Sequence, residues 1–133
     1  MSEKSIIEIK DLRKHFHVKN VWGKDIAVVK ALDGVTLSIE EGKTFGIVGE
    51  SGCGKTTFMR SLLRLVEPTS GSVVLSEQFI DGQFSNNNLE NLKNSELRMF
   101  RRQIGVVFQD PMGALNPRML IKDIVGEPLV IHG

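Results

Sequence analysis

The sequence predicts an α/β fold with an antiparallel β portion on its N-terminal side. Three observations predict it. Closely spaced β-like runs fill roughly the first 45 residues, a strand–loop–helix unit covers 44–67, and a helix–strand unit covers 95–108.

Taken in order, Ser5 to Lys10 alternates around Ile7 and Ile9 and reads as a strand. Asp11 to His17 is polar and mixed, and Val18 to Lys24, with Trp22 and Gly23, reads as a loop. Ile26 to Leu32 fits a short strand, and Val35, Leu37 and Ile39 alternate as a second one. Glu40 to Lys43 is a turn, and Thr44 to Val48 is a short apolar strand leading into Gly49. Phe58, Met59, Leu62, Leu63, Leu65 and Val66 then form the apolar face of a helix. Pro68 disfavours helical geometry at Glu67 and is expected to stop it there. Ser72 to Leu75 is β-rich, and Gln83 to Asn94 reads by composition as a polar surface loop. Ser95 to Gln103 predicts a helix with Ser95 as N-cap. Ile104 to Phe108 predicts another strand, and Ile121 to Val130 a weaker helix interrupted by Gly126 and Pro128.

Bulk properties exclude several function classes. With 133 residues and 41% apolar content, the chain has the size and composition of one globular domain. A net charge of +1 and the absence of a Lys/Arg run argue against a nucleic-acid partner. Cys53 is the one cysteine, which rules out an intramolecular disulfide and fits a reducing compartment. The charged N-terminus MSEKSIIEIK is not a signal peptide, and no apolar run approaches the ~20 residues that span a bilayer. Membrane association is therefore expected only through a partner.

The strongest signal is Gly49-Glu50-Ser51-Gly52-Cys53-Gly54-Lys55-Thr56, followed by Thr57. It fits G-x-x-x-x-G-K-[ST] at every fixed position, between an expected strand and an expected helix. Glycines let the backbone curl with its N–H groups turned inward, where a side chain would block an anion. The helix starting near Lys55 adds its positive dipole end. Lys55 can bring a mobile cation to the β- and γ-phosphates of a nucleotide, and Thr56 a hydroxyl to Mg²⁺. The fold is thus expected to be part of a P-loop NTPase core. Cys53 fills a small-residue position in the loop, and a thiolate there could be stabilised by the helix N-terminus.

Hydrolysis in this class also needs an Asp at the end of a buried strand. Ile104 to Asp110 is the one apolar run that ends so, which leaves open a small, self-contained kinase or NTPase using Asp110. Against it, Gln109 interrupts the apolar run and Pro111 follows at once. A non-enzymatic nucleotide-binding regulatory module is a third possibility. Leu75-Ser76-Glu77-Gln78 faintly resembles LSGGQ but lacks both glycines and precedes Gln109, so it is rejected.

Together, Gly49 to Thr57, Glu67-Pro68-Thr69-Ser70-Gly71-Ser72 and Val107-Phe108-Gln109-Asp110-Pro111 resemble the ATP-binding subunits of ABC transporters in order and spacing. Ala114-Leu115-Asn116-Pro117-Arg118, Glu127-Pro128-Leu129 and Val29 to Val35 resemble the oligopeptide/dipeptide (and nickel) importer branch. The resemblance implies ATP and Mg²⁺ as cofactors and transport-coupled ATP hydrolysis. It implies transmembrane permease subunits and a second ATPase subunit, homo- or heteromeric, as partners, and a solute-binding protein indirectly. It places the parent protein on the cytoplasmic face of the cell membrane. Gln109 matches the glutamine that approaches Mg²⁺ and the attacking water, and Phe16 the aromatic that stacks on adenine. An aromatic face can stack on any base, although Phe16 could instead pack beneath the early strands, and His15 is a weaker alternative.

The resemblance divides the chain into a β portion over about 1–45, the loop and helix over 49–67, a glutamine-loop region over 104–118 and the start of a helical subdomain over 119–133. The family continues with LSGGQ, a strand ending in Asp and Glu, and a switch His. Their absence leads us to expect an N-terminal portion of a longer subunit, inactive alone. Trp22 is unexplained by these motifs, with partial packing expected. His17 and His132 have no metal-site pattern around them. Arg98, Arg101 and Arg102 read as a solvated face.

Overall fold

The structure, a computed structural model, describes residues 4–77 and 84–132. Gln78 and Gln83 lie outside the described residues. The chain divides into two compact units, 1–97 and 98–133.

The first unit is built on a three-stranded antiparallel sheet of order β2-β1-β3. Its strands are β1 (Ser5–Lys19), β2 (Asp25–Glu40) and β3 (Ser70–Leu75). The first two strands are far longer than the alternation in Ser5 to Lys10 suggests. The polar run Asp11 to His17 continues β1, because its backbone is paired to β2 from Leu12 onward, while the Asp11 N–H donates to Thr36 Oγ1 at 2.9 Å. The two short strands expected over 26–39 are one, since the pairing skips from Leu12↔Val35 to Arg13↔Asp33 and leaves Gly34 as a bulge. Its φ of +92° suits glycine. A second bulge lies at Ala31, between Lys14↔Leu32 and His15↔Lys30.

β3 pairs with β1 only from Ile7 to Arg13. Beyond that point β1 and β2 form a two-stranded ribbon. Phe16 and Val18, opposite Val29 and Ala27, share one face; His17 sits on the other, in contact with Asp25. The ribbon ends in a turn where Asn20 Oδ1 accepts the N–H groups of Trp22 (3.0 Å) and Lys24 (2.9 Å). Trp22 is 89% exposed, so the expected partial packing does not occur.

The core holds Ile9, Leu12 and Leu32 from the long strands, Val73 and Leu75 from β3, and Phe58 and Leu63 from the helical segment. Helix α1 (Lys55–Leu62) stops well before Glu67. Arg64 takes a left-handed conformation (φ 50°), Leu65 N–H donates to Arg60 O (2.8 Å) and Arg64 N–H to Ser61 O (3.0 Å). This is the Schellman closure, here without a glycine. Arg64 Nη1 donates to the carbonyls of Leu92 (2.7 Å) and Leu89 (3.3 Å), contacts that offset the strained backbone.

Those carbonyls belong to the Asn-rich segment, which is more than a surface loop. Leu89 and Leu92 are buried, Leu89–Asn91 forms a 3-10 turn, and Leu75 N–H donates to Asn87 O at 2.9 Å. Glu90 accepts the Val73 N–H at 2.6 Å. Helix α2 (Asn94–Arg102) begins one residue before Ser95. Its N-terminus is closed by Glu96, which accepts the Lys93 N–H (2.8 Å) and the Ser85 N–H (2.7 Å), rather than by Ser95.

The second unit holds most of α2, the short α3 (Pro111–Ala114) and α4 (Ile121–His132), with Pro128 inside α4. Neither Thr44 to Val48 nor Ile104 to Phe108 is a strand. An apolar, β-prone run becomes a strand only when another segment pairs with its backbone. Among the described residues these two runs have no ladder partner, and Val48 (94%) and Val107 (88%) stand exposed. The α/β reading otherwise holds, with the antiparallel portion at the N-terminal side as expected.

Candidate phosphate site

Residues 49–54 curl directly into the first turn of α1, with Gly54 as its N-cap. No side chain caps this end, so the leading N–H groups of the helix are available to an anion. Gly54 has φ 96° and could not be replaced by a residue with a Cβ: that atom would meet the Ala31 carbonyl oxygen and lie 3.4 Å from Leu32 Cδ2. The loop is therefore seated on the bulge of β2.

Lys55 lies over the loop. Its ammonium donates to the carbonyls of Gly49 (2.6 Å) and Glu50 (2.7 Å) and lies 3.5 Å from Cys53 Sγ. Cys53 N–H in turn approaches Glu50 O at 3.4 Å. A cation is thus held above a ring of backbone groups by ligands that phosphate oxygens could replace. Thr56 and Thr57 sit in the first turn of α1, Thr56 exposed. A cavity of about 380 Å³ is lined by Leu32, Phe45, Ile47, Gly54, Lys55 and Phe58 among others.

The structure brings together Gly49, Glu50, Cys53, Gly54 and Lys55, with Ser51 and Gly52 completing the loop. Phe16 does not pack beneath the strands: it is 41% exposed, with the Lys14 ammonium 5.0 Å from its ring centroid. Gln109 is exposed in the second unit. Asp110 does not end a strand. Its carboxylate accepts the Gly113 N–H at 3.0 Å and caps α3, which removes the structural basis for the self-contained NTPase reading. His17 is engaged by Asp25 (3.0 Å). Among the described residues no group of three or more His, Cys, Asp or Glu could hold a metal ion, and no helix is long and apolar enough to cross a membrane.

Sequence reasoning missed Ala31, whose backbone seats the loop, and the contacts that hold its bulge. The one available signal was a small residue within Lys30-Ala31-Leu32-Asp33-Gly34.

A glycine-rich loop that feeds an uncapped helix beside an antiparallel sheet defines a class, the α/β proteins of the P-loop NTPase type. Within it, the chain belongs to the ABC transporter family, whose profile matches residues 32–126. It is 45% identical over 127 residues to the putative oligopeptide transport ATP-binding protein YkfD of Bacillus subtilis (strain 168), covering 96% of this chain and 34% of that protein. It is 43% identical over 130 residues to the oligopeptide transport ATP-binding protein OppF of Escherichia coli (strain K12), covering 95% and 36%. The fold is similar to MJ0796, a bacterial ABC transporter cassette solved as a dimer, with a TM-score of 0.72 at 30% identity over 96% of this chain and 48% of that one. It is equally similar (TM-score 0.72, 28% identity, the same coverage) to MJ0796 in a post-hydrolysis state bound to ADP and Pi. The chain spans about a third of the length of the curated relatives it matches.

Proposed function

We propose that this chain is the nucleotide-holding portion of an ATPase subunit that couples ATP binding and hydrolysis to the import of peptides or a related small solute. The observation that carries the reading is the Lys55 ammonium poised over the loop carbonyls at the N-terminus of α1. Relatives whose names specify oligopeptide transport supply the solute class.

The donor set fits a nucleoside triphosphate with Mg²⁺. Gly54 leaves the backbone open to the anion, Lys55 supplies a cation, and Thr56 offers an oxygen ligand to the metal. Bound Mg²⁺ would offset phosphate charge. Lys55 exchanges its contacts with Gly49 and Glu50 for phosphate oxygens, and the N–H groups leading into α1 hold the remainder. Phe16 offers a ring face to the base. Leu32, whose Cδ2 would lie 3.4 Å from a Cβ at Gly54, and Phe16 lie on one face of the β1–β2 ladder, which supports this reading. Gln109 is assigned by resemblance to Mg²⁺ and the attacking water, and to coupling with the permease.

The whole protein is proposed to act as a dimer of ATPase subunits on the cytoplasmic face of the membrane. Its partners would be transmembrane permease subunits and, indirectly, a solute-binding protein. Turnover is assigned to the dimer and not to this chain alone. Titration of ATP into the wild-type chain and Lys55→Ala tests the site: binding by the first and its loss in the second is expected, and equal affinity rejects it. Uptake of a labelled tripeptide by cells carrying Lys55→Ala in the whole protein tests the transport role, which undiminished uptake would reject.

A further inference from the structure

We propose that His15 and Asp33 are positioning residues for the base: they clamp the Ala31 bulge and so set where the Phe16 ring stands relative to the phosphate loop. The inference rests on the base-stacking role of Phe16 given above.

At the bulge, β1, β2 and the loop come together. Pairing skips Ala31 between Lys14↔Leu32 and His15↔Lys30, and the Ala31 carbonyl is the atom against which Gly54 packs. Phe16 is the second residue beyond the skip, after His15, and pairs with Val29. Its position relative to Gly54 therefore depends on this single irregularity. A bulge bends its strand and increases the local twist, and so changes the direction of the ribbon that carries Phe16.

The groups that hold the bulge lie on the ladder face opposite Phe16. His15 Nε2 is 3.2 Å from Asp33 Oδ1, and the His15 side chain is 19% exposed. Asp33 Oδ2 accepts the Lys30 ammonium at 3.3 Å, so one carboxylate ties together residues on both sides of Ala31. Arg13 Nη1 lies 3.5 Å from Asp33 Oδ1, and Arg13 is also paired with Asp11 at 3.0 Å. From β3's side, Thr69 clamps the His15 backbone: its hydroxyl accepts the His15 N–H (2.9 Å) and donates to the His15 carbonyl (3.4 Å). The hydrogen bond from His15, then that from Lys30, holds the Asp33 carboxyl below its usual range. Without the carboxylate, the Lys30–Asp33 tie and the cross-strand contact from His15 are both lost. The exposed ribbon beyond the bulge, which β3 does not support, is then free to re-register.

The test compares ATP with inorganic tripolyphosphate, which has no base, on the full chain as wild type, Asp33→Asn, His15→Gln, His15→Ala and Phe16→Ala. We expect Asp33→Asn and His15→Ala to weaken ATP binding roughly two- to fivefold, as for loss of a partly exposed ion pair. Tripolyphosphate affinity should stay unchanged, and His15→Gln, which keeps a polar side chain, should recover part of the loss. Asp33→Asn should add nothing to Phe16→Ala. Unchanged ATP affinity in both clamp variants, or equal losses for the two ligands, overturns the positioning role while leaving the function reading intact if Phe16→Ala still weakens ATP. No effect of Phe16→Ala on ATP overturns the stacking role and the clamp with it. Failure of the wild type to bind either ligand overturns both.

Discussion

The Lys55 ammonium lies 2.6 Å from the Gly49 carbonyl oxygen, across the full span of the glycine-rich loop. Together with the 2.7 Å contact to Glu50, it closes the loop on its own lysine. A ligand that enters must supply better acceptors than two neutral carbonyls, and phosphate oxygens do, because charge-assisted hydrogen bonds are the stronger kind. Under the proposed role, Lys55→Ala loses a charged hydrogen bond of about 1.5–3 kcal/mol. ATP affinity should fall by roughly one to two orders of magnitude, as read by calorimetric or fluorescent-nucleotide titration.

Cys53 lies beside that ammonium, with its exposed thiol 3.5 Å from Lys55 Nζ. A nucleotide in the loop should shield it. MgATP is expected to slow alkylation of Cys53 by iodoacetamide, and Lys55→Ala to remove the protection. Alkylation at the same rate with and without MgATP would place the nucleotide elsewhere.

Gly54 tests how the loop is seated. A methyl group there both meets the Ala31 carbonyl and demands a left-handed backbone at φ 96°. Gly54→Ala should cost about 1–3 kcal/mol from the backbone strain alone, more once the collision is added. A lowered urea midpoint is the expected reading, and an unchanged one contradicts the packing.

Glu96 makes acid stability measurable at one residue. The Ser85 N–H, then the Lys93 N–H, hold its carboxyl down from 4.5 to about 2. A carboxylate with a depressed folded value contributes fully above its unfolded value, and the contribution disappears as pH falls through the folded one. The wild type should therefore lose stability between about pH 4.5 and 2. Glu96→Gln should be less stable at neutral pH and show a shallower loss over that window. Parallel pH profiles of the urea midpoint would reject the assignment.

Much of the first unit was legible in the sequence. The alternation of Ile7 and Ile9, and of Val35, Leu37 and Ile39, marks strands because side chains in a ladder face opposite sides in turn. The continuation of β1 through Asp11 to His17 was not legible. Its charges are matched across the ladder, as Arg13 and His15 are with Asp33, and composition alone cannot show that pairing. Leu89 and Leu92 were hidden among asparagines for the same reason: two apolar anchors in twelve residues are invisible until Arg64 fastens their carbonyls.

The sequence by itself determined the glycine-rich loop, because its requirements are local: glycines for the curl, Lys55 and Thr56 at its end, and a helix that begins at once. It also determined the family, through motifs that stand in order along one chain. Only the tertiary structure decided that Asp110 caps a short helix, that α1 ends at Leu62, and that two apolar runs have no ladder partner among the described residues. It alone placed Ala31 beneath Gly54. These outcomes turn on hydrogen-bond partners and atoms in close contact, and such partners come from segments that no local pattern names.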